Sequence, residues 1–89
     1  MYSKETIVKN ATGIHARPAS LFVKCAKDFS SDIKIANMNT GKEASVKSMI
    51  AVMTLQLSKD TPIKIFAEGE DEVAAVDTLI QFIDDGCGE

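Results

Sequence analysis

The apolar residues of this chain switch repeatedly between a spacing of two and a spacing of three to four, and that alternation limits the fold to a mixture of strands and helices. Thr6, Ile7 and Val8 are β-branched and predict a first strand, which the turn formers Asn10-Ala11-Thr12-Gly13 break. Ala19, Phe22, Val23 and Ala26 then fall on one helical stripe. Pro18 fits a helix only in its first turn, so this one starts near His15 or Ala16. Its predicted end lies between Asp28 and Ser31. Ile33 and Ile35 alternate with Asp32 and Lys34 as a half-buried strand, Asn37 to Gly41 forms a turn, and Lys42 to Val46 a short strand. Ser48 is a good N-cap for the apolar run Met49–Leu55, although Ala51 stands where a capping-box acid would. Ser58 to Thr61 forms the next turn. Pro62 opens a strand in which Ile63, Ile65 and Ala67 alternate with Lys64, Phe66 and Glu68, and Gly69 ends it. Val73, Val76, Leu79, Ile80 and Ile83 mark one face of a last helix, with Glu70, Asp71 and Glu72 at its start and Gly86 suited to its C-cap.

The predicted order is therefore βαββαβα, an α+β fold with helices on one face of a largely antiparallel sheet. The 89 residues suffice for one domain spanning 1–89. Hydrophobic residues make up 45% and charged residues 26%, which excludes a disordered chain. No apolar run reaches the roughly 20 residues of a membrane span. Met1–Glu5 lacks the apolar stretch of a secretory signal, so the expected location is the cytoplasm, with no membrane insertion. Cys25 and Cys87 are too few for a disulfide scaffold and too far apart for a metal motif; they read as free thiols, Cys25 buried in a helix and Cys87 exposed and oxidisable in a Gly-Cys-Gly tail.

The net charge of -3 argues against nucleic acid as a partner, and it hides a division. Residues 68–89 hold eight acids and no base, so residues 1–67 hold all ten bases and the other five acids. The acidic segment reads either as a solvated helix face or as one side of a molecule whose basic side meets an acidic partner. Asp84 and Asp85, at the end of the last helix, oppose its dipole without an evident reason.

His15, the only histidine, lies in Thr12-Gly13-Ile14-His15-Ala16-Arg17-Pro18, between a Gly-containing turn and a helix start. A lone histidine is commonly structural, but here free backbone N–H groups and the positive end of a helix dipole lie beside it, and Arg17 adds a fork suited to phosphate oxygens. A neutral imidazole can carry a phosphoryl group covalently, and a helix N-terminus favours the neutral ring. A metal site is the poorer reading, since no second His or Cys stands at ligand spacing, and a hydrolytic triad poorer still. On the short helix Met49, Ile50 and Met53 are adjacent at helical spacing and suit reuse against several partners, while Val52 and Leu55 suit the core. Arg17, Lys24 and Lys27 can share one side of the first helix, and Lys47 leads into the second.

Gly13-Ile14-His15-Ala16-Arg17-Pro18-Ala19 resembles the active-site motif of the HPr family, phosphocarriers of the bacterial sugar phosphotransferase system, and Lys47-Ser48-Met49-Ile50-Ala51-Val52-Met53 resembles the family's second motif. The likeness runs over essentially the whole chain. It implies an open-faced β-sandwich, three helices packed on one face of a four-stranded antiparallel sheet. It also implies that His15 takes phosphate on Nδ1 from phosphorylated enzyme I, charged by phosphoenolpyruvate, with Arg17 touching the phosphate, and passes it to sugar-specific IIA domains. No cofactor and no metal is implied, and the carrier is not an enzyme. Ala16, Pro18, Ser20, Lys24, Lys27, Lys47, Met49, Ile50 and Met53 form the expected partner-binding set, and a monomer is the default.

Ser48 matches the family's regulatory serine, a substrate of HPr kinase/phosphorylase whose phosphorylated form serves a catabolite control protein. A mainly regulatory HPr-like binding protein is the alternative function. This sequence departs from the family's frequent pattern at Ala51, where Gly is common, at Met49-Ile50, in reversed order, and at Ser20, where Thr is common. None of these touches the phosphate chemistry.

Overall fold

In a computed structural model that describes residues 1–87, the alternation at Ile63, Ile65 and Ala67 puts those side chains on one buried face of a central strand, β4 (Pro62–Glu68). β4 pairs antiparallel with β1 (Tyr2–Ile7) on one side, from Tyr2 opposite Ala67 to Ile7 opposite Pro62. On its other side it pairs antiparallel with β2 (Asp32–Asn37), Ile33 opposite Ala67 and Ile35 opposite Ile65, and β2 pairs with β3 (Glu43–Ser45). The sheet order is β1-β4-β2-β3. Three helices cover the isoleucine face: α1 (Ala16–Ala26), α2 (Met49–Met53) and α3 (Glu72–Asp84). The expected antiparallel open-faced sandwich is what forms.

Phe22 of α1 and Val76, Leu79 and Ile83 of α3 are fully buried with Ile33, Ile35, Ile63 and Ile65, and the Phe22 ring lies 5.9 Å from that of Phe82. Each such side chain contributes about 1.5–3 kcal/mol by leaving water. The opposite sheet face bears Lys34, Lys64, Glu43 and the half-buried Phe66, with no element of the described chain over it.

Several boundaries differ from expectation for identifiable reasons. β1 starts at Tyr2 rather than Thr6, because backbone pairing with β4 continues under polar side chains. Val8 lies past the strand but is buried, its N–H donating to Thr61 O at 3.0 Å. α1 ends at Ala26, sooner than predicted, and α2 at Met53. Val73 is 51% exposed and Ala75 is buried instead, so the core face of α3 starts from Ala75 and Val76.

Both cysteines differ from expectation. Cys25 is half-buried and Cys87 fully buried, both as free thiols. Gly86 and Cys87 both adopt left-handed backbone (φ 87° and 59°), and their N–H groups return to Ile83 O and Phe82 O. That C-terminal turn folds the thiol inward instead of releasing it into a tail.

Acids of α3 and of its two caps are bonded within the chain. Asp77 accepts from Lys4 Nζ at 2.8 Å and Tyr2 OH at 2.9 Å. Asp84 accepts from Thr6 Oγ1 at 2.5 Å and Lys9 Nζ at 3.0 Å, and Asp85 from Gln81 Nε2 at 2.9 Å. Asp84 thus opposes the helix dipole but fastens α3 to β1. Asp71 accepts from the backbone N–H groups of Ser30 and Ser31, each at 2.9 Å, and from the Ser31 hydroxyl.

Candidate functional site

The site begins with a turn that only glycine completes. Gly13 has φ 72°, and a Cβ there would lie 2.4 Å from Leu57 O and 2.8 Å from Ser58 Cα. Without one, the chain presses against the Leu57–Ser58 segment, and Ile14 N–H donates to Leu57 O at 2.7 Å. On its other side the buried Asn10 carboxamide donates from Nδ2 to Gly13 O at 2.5 Å. The turn is held from both sides, and His15 follows it directly.

His15 is the N-cap of α1, with extended backbone (φ -118°, ψ -169°), and its carbonyl accepts the first helical bond, from Ala19 N at 2.7 Å. N-cap side chains ordinarily accept from the first-turn amides. The His15 side chain makes no such bond, and it is exposed. Nearby, the N–H groups of Ala16 and Arg17 have no intrahelical partner by geometry, and Pro18 has none to offer. No acid lies in the first turn of α1. The arrangement is an uncommitted imidazole at an unneutralised helix N-terminus, a place where a phosphoryl group is electrostatically welcome.

Two recesses extend the site along the α1–α2 side. One, of about 400 Å³, is lined by Thr12, Ile14, His15, Met53, Gln56, Leu57 and Ser58. The other, of about 240 Å³, is lined by Ser20, Val23, Lys24, Lys27 and Met49. Thus His15 and Met53 share one recess, while Ser20, Lys24, Lys27 and Met49 share the next. Ala16 and Arg17 are exposed beside His15. Ile50 is 79% exposed, an apolar side chain presented to solvent on α2, while Val52 and Leu55 enter the core as expected.

Two residues of the expected set sit otherwise. Pro18 is buried in the first turn, where it contributes shape rather than contact area. Lys47 is half-buried, its Nζ donating to Phe29 O at 2.8 Å, so its charge is already engaged in the turn that follows α1. Ser48 is the N-cap of α2: its exposed Oγ accepts from Ala51 N at 3.3 Å, and its carbonyl from Val52 N at 3.0 Å. Among the described residues no group of three or more His, Cys, Asp or Glu could hold a metal ion.

Sequence reasoning missed Asn10, Gln56 and Cys87. Asn10 read only as a turn former, and its contact with Cys87, 77 residues away, has no sequence signal. Gln56 has φ 54° and lines the His15 recess, a conformation that a glutamine does not announce.

The family described as PTS HPr component phosphorylation site matches residues 2–85. The phosphocarrier protein HPr of Borreliella burgdorferi is 46% identical over 84 residues, covering 94% of this chain and 95% of its own. Among solved structures, HPr-C-His from Thermoanaerobacter tengcongensis is 40% identical with a TM-score of 0.93, covering 100% of this chain and 98% of that one. Crh, the catabolite repression HPr of Bacillus subtilis, is 36% identical in its solution structure, with a TM-score of 0.65 over 92% of this chain and 95% of that one.

Proposed function

The chain belongs to the HPr family of phosphotransferase-system phosphocarriers, and on that premise we propose that His15 receives a phosphoryl group from phosphorylated enzyme I and delivers it to sugar-specific IIA domains. Family membership makes the protein a carrier in phosphoryl transfer between proteins rather than a catalytic enzyme. The observation that carries the reading is the N-cap imidazole that does not cap: exposed, and without a hydrogen bond to the helix whose positive end it shares.

In the proposed transfer the Nδ1 lone pair of the neutral imidazole attacks phosphorus, a P–N bond forms on His15, and the bond to the donor breaks with its electron pair left on the donor. The Nε2 proton stays on the ring. The Ala16 and Arg17 amides and the Arg17 guanidinium meet the phosphoryl oxygens. Delivery to a IIA domain repeats the step in the other direction. Lys24, Lys27, Ser20, Met49, Ile50 and Met53 supply the docking surface, basic and apolar, which suits short-lived contact with acidic partner faces in the cytoplasm.

Ser48 serves regulation as a substrate of HPr kinase/phosphorylase. Its exposed hydroxyl borders the same docking face, so a phosphate there adds close to two negative charges beside Met49 and Ile50. The seryl-phosphorylated form then suits a catabolite control protein better than enzyme I. The likeness to Crh supports this second role alongside the first.

The test is labelling with radioactive phosphoenolpyruvate and enzyme I. Wild type acquires an acid-labile phosphate and His15→Ala acquires none. Equal labelling of the two proteins would overturn the assignment.

A further inference from the structure

The Asn10 carboxamide joins the C-terminal end of α3 to the turn that carries His15. It is 7% exposed. Its Nδ2 donates to Gly13 O at 2.5 Å and Thr12 Oγ1 at 3.3 Å, while its Oδ1 accepts from Cys87 Sγ at 3.2 Å. The backbone closes the same turn, with Gly13 N donating to Asn10 O at 3.1 Å.

The peptide unit between Gly13 and Ile14 is thereby fixed at both polar ends. Its oxygen is held by Asn10 and its N–H by Leu57 O at 2.7 Å. A planar peptide bonded on opposite edges does not rotate as a unit. The next peptide joins Ile14 to His15, so the imidazole is aimed from a fixed frame.

The thiol selects which way the carboxamide faces. A flipped Asn10 would set Oδ1 against the Gly13 carbonyl, two acceptors with no proton between them. An S–H donor opposite Oδ1 favours the productive orientation in a buried place, where a hydrogen bond is electrostatically stronger than in water.

We propose that Cys87 and Asn10 are positioning residues for phosphoryl transfer at His15: the thiol orients the carboxamide, and the carboxamide fixes the 13–14 peptide from which the imidazole is aimed. Neither residue touches the phosphate. The proposal rests on the assignment of His15 as the phosphorylated residue.

Four variants test it: Asn10→Ala, Cys87→Ala, Cys87→Ser and, as a stability control in the core of α3, Ile83→Val. Two readouts are followed, the His15 ring resonances of the unphosphorylated protein and the kcat and KM of phosphorylation by enzyme I. Loss of one hydrogen bond's worth of positioning should lower kcat of Asn10→Ala by about three- to tenfold, with KM changed by less than about twofold. Its His15 resonances should move. Cys87→Ala should change both in the same direction by less, and Cys87→Ser, which keeps a donor, should restore them. Ile83→Val should lower the thermal midpoint and leave both readouts alone.

Wild-type kcat and resonances in folded Asn10→Ala would overturn the proposal. So would equal losses in Cys87→Ala and Cys87→Ser, or an equal loss in Ile83→Val. If enzyme I labels no protein at His15, the functional assignment fails, and the resonances still decide whether the contact positions the ring.

Discussion

The segment that carries His15 and the pairing of α3 with β1 use their polar groups in opposite ways. His15, Arg17, Ser20, Lys24 and Lys27 are exposed and form no ion pair among the described residues. Lys47, tied to Phe29 O, is the exception. Along α3, by contrast, Asp71, Glu72, Asp77 and Asp84 all hold partners from elsewhere in the chain. The Thr6 hydroxyl, followed by Lys9, lowers the pKa of Asp84; Lys4 and then Tyr2 lower that of Asp77; Gly69 N–H and then the N-terminus lower that of Glu72. The backbone shows the reverse emphasis: the turn before His15 is clamped on both sides. The His15 segment fixes main chain and leaves its side chains exposed, while α3 commits its acids to fastening the helix to the rest of the chain. The formal charge division is therefore not by itself an interface signal, since the acids of α3 serve the fold while Arg17, Lys24 and Lys27 stay exposed without an ion pair among the described residues.

The largest expected effect comes from breaking the clamp. In Gly13→Ala the new Cβ meets the Leu57 carbonyl at 2.4 Å and the backbone keeps φ 72°. Left-handed strain together with forced displacement of Leu57–Ser58 should cost about 2–4 kcal/mol in urea unfolding. A variant within about 0.5 kcal/mol of wild type, the ordinary range of neutral surface changes, would show that the turn yields and that the two regions differ less than their geometry says.

How far the sequence disclosed this contrast depends on whether the signal was local. The isoleucine alternation in β4, the Phe22–Val23 stripe and the position of Pro18 are local patterns, and they placed sheet, α1 and His15. The neighbours on α1 and α2 were legible for the same reason, as helical spacing brings Met49, Ile50 and Met53 together and sets Lys24 near Lys27. The exceptions depend on distant partners. Asp84 looked unfavourable at a helix end because its partners, Thr6 and Lys9, are more than 70 residues away. Lys47 looked free because the Phe29 carbonyl comes from a different element. Cys87 looked exposed because two consecutive left-handed residues reverse the chain there, and nothing in Gly-Cys-Gly requires the cysteine to join the glycine in that conformation.

A second prediction separates the two regions by pH. The Ser31 hydroxyl, with the Ser30 and Ser31 amides, holds the Asp71 carboxyl at about 2, against 3.8 without these partners. A depressed carboxylate stabilises the folded state fully above its unfolded value, and that contribution fades as pH falls through the folded one. Asp71→Asn should therefore be less stable than wild type at pH 7, the gap narrowing as pH drops from about 4 to about 2. Arg17→Ala, beside His15, should unfold along the same acid limb as wild type. Urea midpoints across that range provide the measurement, and a gap for Asp71→Asn that stays constant with pH would remove the proposed distinction.

The smallest effect probes whether side chains around His15 are as uncommitted as the comparison holds. Gln56 is exposed, with φ 54°, just past α2, and its N–H returns to Met53 O at 3.3 Å. That backbone bond would survive in Gln56→Gly. Relief of the left-handed penalty, about 1–2 kcal/mol, outweighs the extra chain entropy of glycine, about 0.5–1 kcal/mol. A net stabilisation of up to about 1.5 kcal/mol should appear in urea unfolding. A destabilised variant would instead mean that the Gln56 side chain contributes to folding, as the acids of α3 do. A stabilised variant places the strain at the rim of the His15 recess, where it is tolerated or used in docking but does nothing for the fold. Phosphorylation kinetics then distinguish those two cases, because a strain kept for docking is lost together with affinity for enzyme I, whereas an incidental strain disappears without trace.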